Sequence, residues 1–328
     1  MNSFGKVFRV EIFGESHGES VGVIIDGCPA GIDLSPEDLL PDIKRRQPGG
    51  LGTTKRIESD IPHIKSGVYQ GRTTGSPIMI EFVNENKESS DYDEFKMKPR
   101  PGQVDFVAMA KYRGFNDHRG GGHFSARLTV GLVAAGAIAK KILEGIEIKA
   151  GIIEIGGSKN YQAKLEEAAA KGDTLGGIIE CSVYNLPVGL GEPFFYSFES
   201  VIGQLLFSIP SIKAVEFGEG FKSAKMHGSE YNDTLMDISG KTMTNYCGGI
   251  TGGLTNGNQI IFRAALRPPS SISKNQKTLN LLNGEEEDLV IKGRHDICPV
   301  LRASVIIEAA AAIGICDLTM INDMYKHK

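Results

Sequence analysis

The residues able to do chemistry fall into a few glycine-bounded clusters. FGESHG, at 13–18, holds Glu15, Ser16 and His17 between glycines just after an apolar run. Glycines let the chain bend sharply and present the imidazole at a strand end, where it exchanges protons near neutral pH. KRRQPGGLGTTKR, at 44–56, gathers five basic residues around a Pro-Gly turn. That is either an anion clamp or an ordinary solvated basic face. RPGQVDFVAMAKYRGFNDHRGGGHFSAR, at 100–127, carries four arginines, two histidines, two aspartates and three consecutive glycines. Glycines ahead of a helix leave backbone N–H groups free for an anion, and arginine forks grip carboxylate or phosphate through two N–H groups. Farther on, MHGSEYND (226–233), NYCGGITGGLTNGNQI (245–260) and LRPPSSI (266–272) add backbone donors and hydroxyls. KGRHDICP (292–299) sets Arg294, His295 and Asp296 side by side.

Several chemistries are missing. GGLGTTK lacks the GK[ST] ending of a P-loop, and no GxSxG elbow or HExxH pair occurs. The five cysteines share no CxxC spacing, so neither a zinc site nor a disulfide framework is expected. No metal is assigned. A net charge of −4 and the absence of tryptophan argue against a nucleic-acid surface. Arginines gathered into loops of an acidic chain point instead to a small polyanion, such as a phosphorylated one.

The elements that must position these loops read as α+β. Strands are expected at 7–13, 20–26, 76–83, 146–157, 177–185, 214–221 and 258–266, from runs of Ile, Val and Phe bounded by turn residues. Helices are expected at 35–46, 127–143, 160–171, 199–208 and 303–316. The first opens on Ser35-Pro36, an N-cap followed by a first-turn proline, with Pro41 expected to kink or shorten it. The segments 128–143 and 303–316 are rich in small residues, which suits helices buried between sheets. VIIDGCPAGI (23–32) is echoed by CSVYNLPVGL (181–190), as two related halves would be. The expectation is one domain over 1–328, its pseudo-repeated halves at about 1–145 and 146–316. The polar stretch 83–98 reads as an exposed excursion. Neither a signal peptide nor a membrane span is indicated, so a soluble, cytoplasmic protein is expected.

Eight segments, in order and over nearly the whole chain, resemble the chorismate synthase family: FRVEIFGESHG, DGCPAGI, RRQPG, RPGQVD, RGGGHFSAR, GLGEP, GGITGG and GRHDICP. The resemblance implies a sandwich with helices between two antiparallel sheets, related by an internal pseudo-twofold and assembled as a homotetramer. It implies a lyase of the shikimate pathway that eliminates phosphate from 5-enolpyruvylshikimate 3-phosphate to give chorismate, with reduced FMN and no net redox change. His17 matches the general acid for phosphate departure, and Asp296 the aspartate that manages the proton at flavin N5. Arg45, Arg46, Arg127 and Arg294 match arginines near substrate or flavin. Ser125 and Ala126 match the turn beside the flavin, Ser125 being placed with the catalytic set as well. Arg119, Asn245, Arg267 and Ser271 match flavin-contacting positions. One departure matters: Gln103 stands where the family usually has a histidine that tunes the flavin. His123, where arginine is common, is the titratable group that would compensate. The alternative reading is therefore a flavin- or anion-binding paralogue with impaired turnover. The inserted segments of relatives that reduce their own flavin are absent, so the reduced FMN is expected from an external flavin reductase system, with NADP only a family association.

Overall fold

A computed structural model describes residues 1–54, 58–85, 90–291 and 296–325, with side chains 90, 91 and 93 set aside. Two antiparallel sheets enclose a layer of helices. The N-terminal sheet runs, in spatial order, Ser3–Phe4, Arg9–Gly14, Ser20–Asp26, Ile78–Val83 and His63–Ile64. The C-terminal sheet runs Ile212–Phe217, Ile260–Leu266, Gly177–Tyr184 and Glu147–Ile155. In each sheet a central strand, Ser20–Asp26 or Gly177–Tyr184, pairs with the strand before it and with one that returns after a helix. The echoed sequences fall on those two central strands.

Helices Thr129–Ile142 and Ser304–Tyr325 form the middle of the sandwich, flanked by Pro36–Arg46 and Phe198–Ser208. Small residues set their spacing. A Cβ placed on Gly136 would lie 2.3 Å from the Cβ of Ala309, so the two central helices touch nearly backbone to backbone. Ser304–Tyr325 is long and apolar enough to cross a membrane, but most of it is buried in this core.

Two buried carboxylates on that helix tie the fold together. Asp317 is fully buried and accepts the backbone N–H groups of Lys6, Val7 and Phe8 at 2.8–3.1 Å and the Tyr196 hydroxyl at 2.5 Å. Glu308 takes both prongs of the Arg45 guanidinium at 2.7 Å, the Lys140 ammonium at 3.1 Å and the Ala150 N–H at 3.0 Å. Burial pushes the Glu308 carboxyl up, but the Arg45 hydrogen bonds and the Lys140 charge outweigh it and hold the group below the usual carboxylate range.

Some expectations need correction. Pro41 lies inside helix Pro36–Arg46 without shortening it; the residue whose carbonyl it leaves without an N–H partner, Glu37, is exposed. The last helix runs nine residues beyond 316, to Tyr325, because Asp317 is fully hydrogen-bonded and does not break it. Strand Ile212–Phe217 stops before 221, where Gly218 and Gly220 take positive φ. The stretch 83–98 is not simply exposed. Its turn Ser90–Lys96 buries Phe95 against Leu289 and Ile291, with Tyr92 alongside, so two aromatic anchors hold a polar segment down. Within 100–127 a short helix, Asp105–Lys111, was not foreseen.

Candidate active site

The FGESHG segment is the loop of a hairpin that ends at the Gly14–Val21 pair. It folds inward. The Asn84 amide donates to the carbonyls of Glu15 and Gly18 at 3.0 and 3.1 Å, and the Ser16 N–H donates to the Gly122 carbonyl at 3.1 Å. His17 is consequently buried, with 3% of its surface exposed, and its ring meets Tyr92 edge-on at 5.1 Å. On its other side runs the glycine turn. Gly120, Gly121 and Gly122 all have positive φ, 59°, 81° and 55°, a path open to glycine without steric cost. A Cβ on Gly120 would sit 2.4 Å from the His17 Cδ2. The three glycines precede the helix by a further turn, Ala126–Leu128, capped by the Ser125 hydroxyl, which accepts the Arg127 N–H at 3.3 Å.

Two adjoining cavities meet at this turn. The larger, about 1090 Å³, has apolar walls that include Ile12, Leu128, Leu132 and Leu205 and a rim carrying Lys213 and Arg267. The smaller, about 210 Å³, is polar and lined by Arg46, Arg100, Arg127 and Arg302 with Glu58, Asp60 and Asp296. Gln103, Gly120, Ser125, Ala126, Ser271 and Asp296 line both. An anion in the small cavity and a flat, largely apolar ligand in the large one would touch across these residues.

Carboxylates aim the arginines of the small cavity. Asp60, 2% exposed, accepts from Arg46 at 3.1 Å through one oxygen and from Arg127 through the other. Arg46 also donates to the Thr129 hydroxyl and to the carbonyls of Ala126 and Arg127, which leaves one of its five N–H groups for a ligand. Full burial and the neighbouring arginines lower its pKa to about 9, with Asp60 opposing that shift. Arg127 gives Nε to Asn84 Oδ1 at 3.0 Å and keeps more of its fork available. Asn84 thus joins the histidine turn to an arginine of the cavity, and its oxygen and nitrogen are assigned unambiguously by their partners. Arg100 is gripped by both oxygens of Asp105 at 2.8 Å, stacks over Phe95 at 4.6 Å and approaches the Ser271 hydroxyl at 3.4 Å. Asp296 accepts the Thr54 N–H at 2.8 Å and an Arg302 N–H at 2.5 Å.

The sequence-derived residues are distributed as follows. Arg46, Arg127, Ser125, Ala126, Ser271, Asp296 and Gln103 line the small cavity, and all but the two arginines also line the large one. His123 and Arg267 line the large cavity alone. His17 stands directly behind Ser16, Tyr92 and Gly120, which line the small cavity. Arg45 lines neither; its fork is spent on Glu308 and Asp42. Arg119 lines neither, and its guanidinium holds the Asp117 carboxyl below the usual range. Asn245 donates to the Gln259 carbonyl at 2.8 Å and lines neither cavity. Arg294 lies outside the described residues. Asn84, Asp60 and Arg302 were not singled out for the site, whereas Arg100 was counted among the arginines of the 100–127 stretch. Asn84 and Asp60 sit in short polar connections that carry no local signal of a site.

A match to the family described as chorismate synthase spans residues 8–320. The chain belongs to the chorismate synthase family. A chorismate synthase of Chitinophaga pinensis is 56% identical over 322 residues, covering 98% of this chain and 97% of the relative. One from Korarchaeum cryptofilum is 45% identical over 349 aligned positions, covering 97% of each. A crystal structure of chorismate synthase superposes with a TM-score of 0.73 at 26% identity, covering 97% of this chain and 93% of the other. As a member, the protein is a carbon–oxygen lyase with the family's helix-filled α+β sandwich.

Proposed function

We propose that the chain forms chorismate from 5-enolpyruvylshikimate 3-phosphate, with that substrate in the small cavity and reduced FMN in the large one. The juxtaposition of an arginine-lined cavity with a large apolar one across six shared residues carries this reading. The substrate brings one phosphate and two carboxylates, and Arg100 and Arg127 offer N–H groups not consumed by their positioning carboxylates.

The large cavity suits a flavin mononucleotide. Its volume exceeds what a drug-sized ligand needs, its walls are apolar, and the Ser270 hydroxyl is buried there without a hydrogen-bond partner among the described residues. Ser270, Ser271 and Arg267 would hold the phosphate end, and Ala126 and Gly121 would face the ring. When bound, reduced FMN supplies electron density to the substrate ring and takes it back, so that the elimination involves no net oxidation.

In the chain's own part of the reaction, the C–O bond to phosphate breaks with its electron pair leaving on oxygen, and a ring C–H bond breaks to complete the diene. His17 gives a proton to the departing phosphate, held in place by Tyr92, Gly120 and the Asn84-clamped turn. Arg127 neutralises the charge that builds on the phosphate. Asp296, between the cavities, handles the proton lost from the ring.

Gln103 favours a second reading, because it stands at the junction of both cavities while His123 reaches only the large one. Both His123 nitrogens are engaged, Nδ1 with the Gly14 carbonyl at 2.8 Å and Nε2 with the Asn2 side chain at 3.1 Å. On that reading the chain binds both ligands and turns over poorly. Anaerobic incubation with substrate and photoreduced FMN decides: phosphate and chorismate in equal amounts support the lyase, and binding of both without phosphate release supports the paralogue. Homotetramer assembly, an external flavin reductase and a cytoplasmic location belong to the proposal. Exposed Phe194, Phe195 and Phe221 are consistent with assembly, and sedimentation tests it.

A further inference from the structure

We propose that Arg302 is a positioning residue for the reaction, fixing the Asp296 carboxylate at the junction of the two cavities and keeping the 48–54 loop docked. The inference rests on the lyase reading above, in which Asp296 moves the ring proton. Nothing in the sequence motifs marked Arg302, which lies six residues past Asp296, at the end of the turn Pro299–Arg302.

The geometry runs in one connected line. Arg302 Nη2 donates to Asp296 Oδ2 at 2.5 Å, and its Nη1 reaches the Arg46 carbonyl at 3.5 Å. The other Asp296 oxygen accepts the Thr54 N–H at 2.8 Å. The N–H groups of Ile297 and Cys298 both donate to the Gly52 carbonyl at 3.0 Å, so the basic loop is laid against the 296–298 turn. Gly52 is packed so closely that a Cβ there would lie 2.7 Å from Leu301 Cδ1. The Asp296 and Arg302 side chains are 16% and 18% exposed, too sheltered for water to replace the pair freely. A carboxylate with one oxygen on a backbone N–H and the other on a guanidinium cannot rotate about its terminal torsion. Without Arg302, the carboxylate keeps only the Thr54 N–H as a tether and swings, and its hold on the loop weakens.

Arg302 also lines the small cavity, so the rival is a direct grip on substrate. Arg302→Gln, Arg302→Lys, Asp296→Asn and the Arg302→Gln/Asp296→Asn double variant separate the two. If Arg302 acts through Asp296, Arg302→Gln lowers kcat about 10²-fold, the order expected for a misplacement of about 1 Å. KM for the substrate then changes only a few-fold, Arg302→Lys recovers part of the loss, and the double variant is no slower than Asp296→Asn alone. Losses that multiply, or a raised KM with kcat kept, overturn the proposal. A second readout does not need turnover: hydrogen exchange at the Thr54 amide quickens about 10-fold in Arg302→Gln in the folded, ligand-free protein and less in Arg302→Lys. Unchanged exchange overturns it. A wild-type protein without turnover would refute the lyase reading, and Thr54 exchange would then decide the role of Arg302 alone.

Discussion

Gly120→Ala tests how the glycine turn supports the imidazole. The added methyl would stand 2.4 Å from His17 Cδ2, 2.6 Å from its Nε2 and 2.9 Å from Ser16 Oγ. Carbon atoms rest about 3.5–4.0 Å apart, so the ring must retreat by roughly 1 Å. Tyr92 stands in its way with ring centroids 5.1 Å apart, and Asn84 pins the turn that carries it. A displacement of that size in a proton donor is expected to lower kcat about 10²-fold, or about 2.7 kcal/mol of barrier. The left-handed backbone at φ 59° adds a cost of about 1–2 kcal/mol in stability. Gly114→Ala isolates that cost: its φ is 80°, and no heavy atom lies within 4 Å of the added Cβ. Anaerobic phosphate release with photoreduced FMN, alongside thermal unfolding, gives both quantities. The expected outcome is similar destabilisation in the two variants and slow turnover only in Gly120→Ala. Equal turnover in both would refute the argument that Gly120 is required by His17 rather than by the backbone.

Gln103→His places a titratable ring at the junction of the cavities; turnover rising more than about 10-fold would show that the natural site is impaired, and an unchanged rate that this position needs no proton donor. Gly136→Ala drives a methyl into Ala309, where no side chain can rotate away, and should destabilise by about 3 kcal/mol or more in urea unfolding. Glu308→Gln removes the charge facing Arg45 and Lys140 and should cost about 2–4 kcal/mol near neutral pH. Because the folded state lowers the Glu308 pKa, its contribution is present above the unfolded value of about 4.3 and is lost as pH falls through the lowered one. The gap in unfolding free energy between wild type and Glu308→Gln should therefore be flat above about pH 5 and close toward acid; a gap that widens there would overturn the assignment.

Local signals carried far. Alternating and apolar runs marked the seven long strands, because each has a face on the helical layer, and small residues marked the two central helices, because only they allow an approach like that of Gly136 and Ala309. The glycines of 120–122 and the arginines of 46 and 127 were legible for the same reason: their types suit few other purposes. What was not legible depends on distant partners. Asn84 looks like any asparagine at a strand end until its amide is seen holding the His17 turn and its oxygen Arg127. Arg45 and Arg46 are neighbours in one basic run, yet the helix turns them apart, one toward Glu308 and the other toward Asp60. Tyr92 and Phe95 sit in a stretch whose charge hid its two anchors. Pairwise partners 14 to 263 residues away leave no trace in local composition.

The Asp317 clamp imposes an order on synthesis. The backbone groups of Lys6, Val7 and Phe8 find their acceptor only in a residue 309 to 311 positions later. At a translation rate of about 5–20 residues per second, the ribosome makes Asp317 about 15–60 s after Phe8. The same N-terminal segment supplies Asn2, Ser3 and Phe4 to the wall of the large cavity. A nascent chain therefore carries an unfinished large cavity and three backbone N–H groups without their acceptor until its last helix has emerged.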